Sequence, residues 1–325
     1  MNINKLFYSF SSLILLISAF IYLSPALISN DFIYPLRIDS TYIRYHSNQN
    51  NLSDTTLLNP GNEELIFQDL NILSSNGLEL QGWYVPTIDT PANTIVIIHD
   101  INQSKIMVLD HIRQLHDRGF HVYAFDLRAH GTSEGTTFTP GLSAVEDMKV
   151  IIDSLLQKQE TKHIILFGMG IGSAIAMQTA IFDGRCDGLI LQSPFNNLST
   201  YLNRYAFKKW GPMKYLWYPI FEKKVKKLLQ YPITELDLTR IASFNTTPTL
   251  FITAGQDDEI FTSETLQVYS ASAAEKKALF LVREANHYNI AVVGGEKYYN
   301  KIANFIQTIL PKPSKKTRFK KLAFK

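Results

Sequence analysis

The stretch FGMGIGSAIA, residues 167–176, is where residue types and spacing first suggest chemistry. It follows the apolar run HIILF and leads into SAIAMQTAI, the order of a strand, a glycine-rich turn and a helix. Two chemistries use that arrangement. In one, glycines let the backbone and a helix N-terminus approach the phosphates of a dinucleotide. In the other, G-x-S-x-G, a serine stands at the tip of a sharp turn as a nucleophile. The spacing here suits the second pattern, with Gly168 and Gly172 as the flanking glycines, yet Gly170 occupies the tip. Glycine has no hydroxyl, so no acyl intermediate can form on it. The phosphate pattern is matched in part: Gly168, Gly170 and Ser173 mimic G-x-G-x-x-G, and Asp187 follows about 20 residues on, where a ribose-binding acid is wanted. Against it, the third glycine is missing and two strand–helix units precede the motif.

Elements that would position such a turn are legible on both sides of it. IFQDLNI and LELQGWYV, joined by LSSNG, read as a hairpin. TIVIIHD (94–100) is a continuous apolar run, as a strand buried on both faces requires. Ile106, Val108, Leu109, Ile112 and Leu115 recur at helical spacing up to Gly119. FHVYAFD (120–126) is a strand, GLSAVEDMKVIIDSLLQ (141–157) an amphipathic helix, and GLILQS (188–193) another strand. After an insertion, TPTLFITAG (247–255) and KALFLV (277–282) resume the pattern, and a last helix runs from Glu296 to Ile309. Strands alternating with helices imply an α/β fold with a mostly parallel central sheet, helices on both faces and a helical cap insertion.

Taken in order, IIHD (97–100), FDLRAHGTSEG (125–135), GMGIG (168–172), GQDDEIF (255–261) and ANHYN (285–289) resemble the landmarks of the α/β-hydrolase superfamily. The branch that the chain looks most like is the esterase and serine-aminopeptidase type with membrane-anchored members. The resemblance runs from about Leu65 to Ile309. It implies a triad in the order Ser, Asp or Glu, His. Asp258 matches the acid and His287 the base, while Gly170 marks the position of the missing nucleophile. The backbone N–H groups of Ile101 and Ile171 match the oxyanion hole. Where the family generally has His-Gly after the first central strand, this chain has His99-Asp100. An inward Asp100 would oppose a developing oxyanion, and an outward one would have little effect. Ser173, one helical turn past Gly170, is a weak substitute nucleophile expected to point into helix packing. Water activated directly by His287 is another route. Gly170→Ser is the complementary test: gained esterase activity would show that the base and hole are intact. The function implied is an α/β-hydrolase-like protein without serine-dependent hydrolysis, binding an acyl or peptide-like ligand or a protein partner. The alternative is a hydrolase of esters, thioesters or amides that uses water or another nucleophile. No cofactor and no metal are implied.

Size and composition set the frame. The 325 residues suit one large domain, expected at 63–310, with 195–235 as its cap. The lone Cys186 excludes a disulfide framework and a cysteine-rich zinc site, and reads as core packing. From Leu6 to Asn30 no residue is charged, so residues 1–30 read as a membrane anchor, with a cleaved signal peptide as the rival. Residues 31–62 read as a polar linker. With Lys5 before the span and Arg37 and Arg44 after it, a cytoplasmic N-terminus and an exported domain are expected.

The net charge of +3 is unevenly spread: the tail 311–325 has seven Lys or Arg and no acid. The insertion is basic and aromatic, and EKKVKKLLQ is a short basic amphipathic pattern suited to an anionic lipid surface. The same aromatics would serve a cap packed over a pocket. Nucleic-acid binding is not expected.

Overall fold

The structure is a computed structural model that describes residues 8, 11–20, 30–49, 58–88, 91–229 and 235–310. The basic tail and residues 1–7, 9–10 and 21–29 of the N-terminal apolar segment lie outside the described residues. Among those described, no helix is long and apolar enough to cross a membrane.

Eight strands form one sheet: β1 (Gln68–Leu73), β2 (Glu79–Val85), β3 (Ala92–Ile98), β4 (His121–Phe125), β5 (Thr161–Met169), β6 (Gly188–Gln192), β7 (Thr249–Ala254) and β8 (Lys277–Val282). Their order is β1-β2-β4-β3-β5-β6-β7-β8. β1 and β2 pair antiparallel, as do β2 and β4, and every other neighbouring pair is parallel. The continuous apolar runs have a direct consequence. Side chains alternate across a strand, so Ile95, Ile97, Phe167 and Ile190 enter one core while Val96, Ile98, Leu166 and Leu191 enter the other.

Helices α1 (Leu109–His116) and α7 (Ile290–Ile309) close the first core; α2 (Leu142–Leu156), α3 (Ile171–Asp183) and α6 (Thr262–Ala271) close the second. Each fully buried phenylalanine, such as Phe167 or Phe251, contributes about 1.5–3 kcal/mol to these layers. Cys186 is buried beside them, and burial pushes its thiol up to about 12, as a packing residue requires.

The insertion forms α4 (Leu198–Trp210) and α5 (Lys214–Leu229). Some of its aromatics pack inward, where Trp210 meets Trp217 and Phe221 edge-on at 5.8 and 5.5 Å, while Phe207 and Tyr215 are exposed. The last helix begins at Ile290, earlier than the sequence suggests, because the chain is helical on both sides of a kink at Gly295, where φ is +50°. The stretch read as a linker is also corrected in part. Residues Asn30–Ile33 and Ser40–Gln49 are helical, and Phe32 and Ile33 are fully buried. Arg37 donates to the carbonyls of Gly131, Ser133 and Gly135. Polar composition concealed this anchoring because Arg37's partners here are backbone oxygens.

Candidate active site

Strand β5 hands the chain to α3 through a turn whose glycines do separate jobs. A Cβ on Gly168 would lie 2.3 Å from the Gly172 carbonyl, and one on Gly172 would lie 2.2 Å from the Ile98 carbonyl. Gly168 lets α3 pack directly on the backbone of β5, and Gly172 lets it pack on that of β3. Gly170, at φ +51° and ψ −115°, forms the tip and caps α3. The tip backbone is held by Gly170 N–H donating to the Gln192 carbonyl at 2.9 Å. The strained geometry of a nucleophile-bearing turn is therefore present without the side chain that normally uses it.

The space above Gly170 is filled from the neighbouring strand end. Asp100, just past β3, is buried and points inward. An ideal Cβ on Gly170 would lie 2.0 Å from Asp100 Oδ2 and 2.2 Å from its Cγ. Asp100 Oδ1 accepts from the backbone N–H of Ile101 at 2.7 Å and of Ile171 at 2.8 Å. The two amides expected to line an oxyanion hole thus converge on one point, and a carboxylate oxygen of the chain itself occupies it. Asp100 Oδ2 lies 2.9 Å from His287 Nε2.

His287 follows β8 on the loop before α7 and reaches a second carboxylate through its other nitrogen. Nδ1 lies 2.9 Å from Asp257 Oδ2. This corrects the expected acid: Asp257, not Asp258, meets the histidine. Asp257 is fastened in the turn after β7, where its Oδ1 accepts from the N–H groups of Glu259 and Ile260 at 3.0 and 2.8 Å. Its Oδ2 also accepts from the Ser193 hydroxyl at 2.9 Å. Ser193 adopts a left-handed φ of +46°, a local strain that places its hydroxyl on the acid. The Asp258 side chain is 74% exposed and pairs with Lys208 at 3.0 Å, which holds its carboxyl below the usual range.

His287 is therefore clamped between two carboxylates. Burial alone would disfavour its charge, but the hydrogen bonds to Asp100 and Asp257 outweigh that and raise it to about 10. At neutral pH it is an imidazolium that donates from both nitrogens. It holds no free base to activate a hydroxyl or a water while Asp100 remains in place.

Supporting contacts fix the loop that carries Asp100. Leu127 N–H donates to His99 Nε2 at 3.0 Å, so His99 Nδ1 carries the proton and donates to the Asp100 carbonyl at 2.7 Å. Burial lowers the His99 pKa, which keeps this ring neutral. Asp126 accepts from the backbone N–H of Lys105 at 2.7 Å, from its ammonium at 2.5 Å and from Thr132 N–H at 2.8 Å. Arg128 grips Asp147 through two nitrogens at 2.7 and 2.6 Å. The FDLRAHGTSEG landmark is thus a brace for the Asp100 loop.

Asp100 and His287 open onto a cavity of about 410 Å³ that Ile101, Met107, Tyr201, Tyr205 and Tyr288 also line. The other sequence candidates lie elsewhere. The Ser173 hydroxyl is fully buried and donates to the carbonyls of both Gly168 and Gln192 at 2.8 Å. Asp187 accepts from Ile164 N–H at 3.0 Å, at the opposite end of β5 from the glycine turn, which removes the ribose-binding acid from the nucleotide reading. No group of three metal-ligating side chains occurs among the described residues.

Asp257 and Ser193 were the residues that motif matching missed. One signal was available: the second aspartate of a D-D pair can be the exposed one when the first closes an Asx turn.

With this geometry in hand, comparisons give the fold its place. The pattern that defines the family "Serine aminopeptidase, S33" matches residues 89–236. The uncharacterized protein YqkD of Bacillus subtilis is 26% identical over 248 residues, which cover 73% of this chain and 78% of that one. The uncharacterized membrane protein YNL320W of Saccharomyces cerevisiae is 20% identical over 251 residues, 76% of this chain and 82% of that one. Among solved structures, the Pyrococcus furiosus esterase Pf2001 aligns with a TM-score of 0.65 and 20% identity, covering 77% of this chain and 95% of that one.

Proposed function

We propose, for a chain with the α/β-hydrolase fold, that serine-dependent hydrolysis has been given up and that the cavity binds a small acyl or peptide-like ligand. One observation carries this reading: the Asp100 carboxylate stands in the volume of a residue-170 side chain and accepts both oxyanion-hole N–H groups. A serine hydrolase requires a hydroxyl at the turn, a neutral imidazole to take its proton, and vacant donors for the substrate oxygen. Here position 170 has no hydroxyl, the imidazole is charged and the donors are occupied. What persists is a cavity with aromatic walls and a cap.

Treatment of the full-length protein with a fluorophosphonate probe tests the reading. The expected result is no labelled serine; stoichiometric labelling mapped to a serine would end it.

Attachment to a membrane is part of the same proposal. It rests on the charge-free segment Leu6–Asn30 and on Leu13, Ile14, Leu15, Leu16, Ile17 and Phe20, which are exposed on a helix spanning 11–20. Phe20 meets Trp217 of the cap edge-on at 5.7 Å, which sets the basic cap beside the apolar segment. Lysines there and in the tail would favour anionic headgroups. The yeast relative's description as a membrane protein agrees, and the exported side remains the proposed location of the domain. High salt is expected to leave the protein in the membrane fraction and detergent to release it. Release by salt alone would rule out a spanning anchor, because salt weakens only the ionic contacts.

A further inference from the structure

Both N–H groups that would stabilise an oxyanion donate to Asp100 Oδ1. That singles out one carbon whose tetrahedral form they can stabilise, Cγ of Asp100 itself. A carboxylate carbon is attacked readily only after it has become an ester, so the arrangement suits a reaction in which Asp100 is first alkylated. We propose that Asp100 is a carboxylate nucleophile, occupying the place of the missing residue-170 side chain, and that it opens epoxides by way of an alkyl ester. This goes beyond ligand binding and leaves the loss of serine chemistry as it stands.

The electrophile class follows from what surrounds Asp100. Attack on an ester or amide would need vacant oxyanion donors, and these are filled. A strained sp³ carbon needs none, because its charge develops on the departing oxygen. That oxygen needs a proton, and donors are at hand: the His287 imidazolium lies 2.9 Å from Asp100 Oδ2, and the phenols of Tyr201 and Tyr288 line the same cavity. Burial pushes Tyr288 up to about 12 and holds Tyr201 well above its usual value, so both stay protonated.

The steps balance. Asp100 Oδ2 bonds to a ring carbon, the ring C–O bond breaks, and its electron pair goes to the ring oxygen, which takes the proton from His287 Nε2. This leaves a 2-hydroxyalkyl ester on Asp100 and a neutral imidazole whose Nδ1–H still faces Asp257. Nε2 then takes a proton from water as the water oxygen bonds to Cγ. The negative charge falls on Oδ1, against the N–H groups of Ile101 and Ile171. The Cγ–Oδ2 bond breaks, and the departing alkoxide takes the proton of the new carboxylic acid. Epoxide and water become a vicinal diol. Asp100 is again a carboxylate, now carrying an oxygen from water, and His287 is again an imidazolium.

The transferred oxygen supplies the test. The full-length wild-type protein is incubated in oxygen-18 water with 1,2-epoxyhexane and, separately, styrene oxide, then digested and mapped by mass spectrometry. Diol formation above the buffer blank is expected, with oxygen-18 entering the Asp100 carboxylate only when epoxide is present. Asp100→Asn should lower diol formation on the order of a hundredfold or more. His287→Gln should accumulate the ester on Asp100, because the phenols of Tyr201 and Tyr288 can still protonate the ring oxygen in the first step while the second step lacks its base. No diol from either epoxide, or diol without label at Asp100, overturns the proposal. The wild-type labelling stands alone if a variant does not fold. A fluorophosphonate-labelled serine would instead defeat the serine-loss reading and leave the oxygen-18 result to be judged separately.

Discussion

Asp100 and Gly170 exclude one another's side chains: a Cβ on residue 170 would lie 2.0 Å from Asp100 Oδ2, so only one of the two positions can carry a group into the site. The pair is therefore coupled, and this revises the simplest rescue. Gly170→Ser alone drives a hydroxymethyl group into a buried carboxylate. It should destabilise the fold by about 1–3 kcal/mol, as overpacking does, and remain at the blank rate with p-nitrophenyl acetate. Asp100→Gly alone vacates the oxyanion donors but supplies no nucleophile. The double variant restores both, and should be more stable than the sum of the singles by about 1–3 kcal/mol and hydrolyse the ester. Denaturant unfolding and ester turnover across the four proteins check this. Full activity in Gly170→Ser alone would show that Asp100 does not occupy the hole.

His287 makes stability depend on pH in a defined direction. Its folded value of about 10 lies above the unfolded value near 6.5, so between those limits the folded protein binds more protons. Stability from this group is complete below about pH 6.5 and is lost as pH rises through 10. A loss on the order of 4 kcal/mol is expected between pH 7 and pH 10.5. Other groups titrate there too, so the quantity to measure is the difference between wild type and His287→Gln in denaturant midpoints across that range. A pH-independent difference would show that the imidazolium clamp is absent.

Ser173 should behave as a structural hydroxyl. It bonds to the carbonyls of Gly168 and Gln192 and so ties α3 to the ends of β5 and β6. Ser173→Ala is expected to cost about 1–3 kcal/mol in thermal or chemical unfolding while leaving epoxide turnover unchanged. A loss of turnover in a variant as stable as wild type would instead give Ser173 a chemical role.

The fold was legible because its signals are local. Apolar runs such as TIVIIHD and HIILF, glycine-rich turns and helical spacing each report on a few neighbouring residues, and their order implies a parallel sheet covered on both faces. The places of the turn tip at Gly170, of His287 and of the Ile101 and Ile171 amides were legible for the same reason. The direction of Asp100 was not: it depends on whether position 170, seventy residues away, leaves room for it. The pairing of His287 with Asp257 depends on which aspartate closes the turn after β7, a choice that two adjacent identical residues hide. The anchoring of residues 30–37 rests on Ile33 and Arg37 meeting Phe138 and Ser133, about a hundred positions on, and on Phe32 meeting Tyr201 farther along still, beyond the reach of any pattern within the segment.

The two aspartates of the β7 turn should separate cleanly under substitution. Asp257 has a fully buried side chain and satisfies Ser193, two backbone N–H groups and His287. Asp257→Asn keeps the shape but removes the charge that faces the imidazolium, leaving a buried cation with one carboxylate instead of two. Breaking a buried pair in this way costs about 3–5 kcal/mol. The imidazole should then titrate at lower pH, which NMR of the ring protons would record. Asp258→Asn removes an exposed carboxylate whose partner Lys208 keeps Glu259 at 2.7 Å, and should change stability by no more than about 0.5 kcal/mol. Equal effects from the two substitutions, or a larger one from Asp258→Asn, would return the acid's role to residue 258 and undo the assignment of His287 to Asp257.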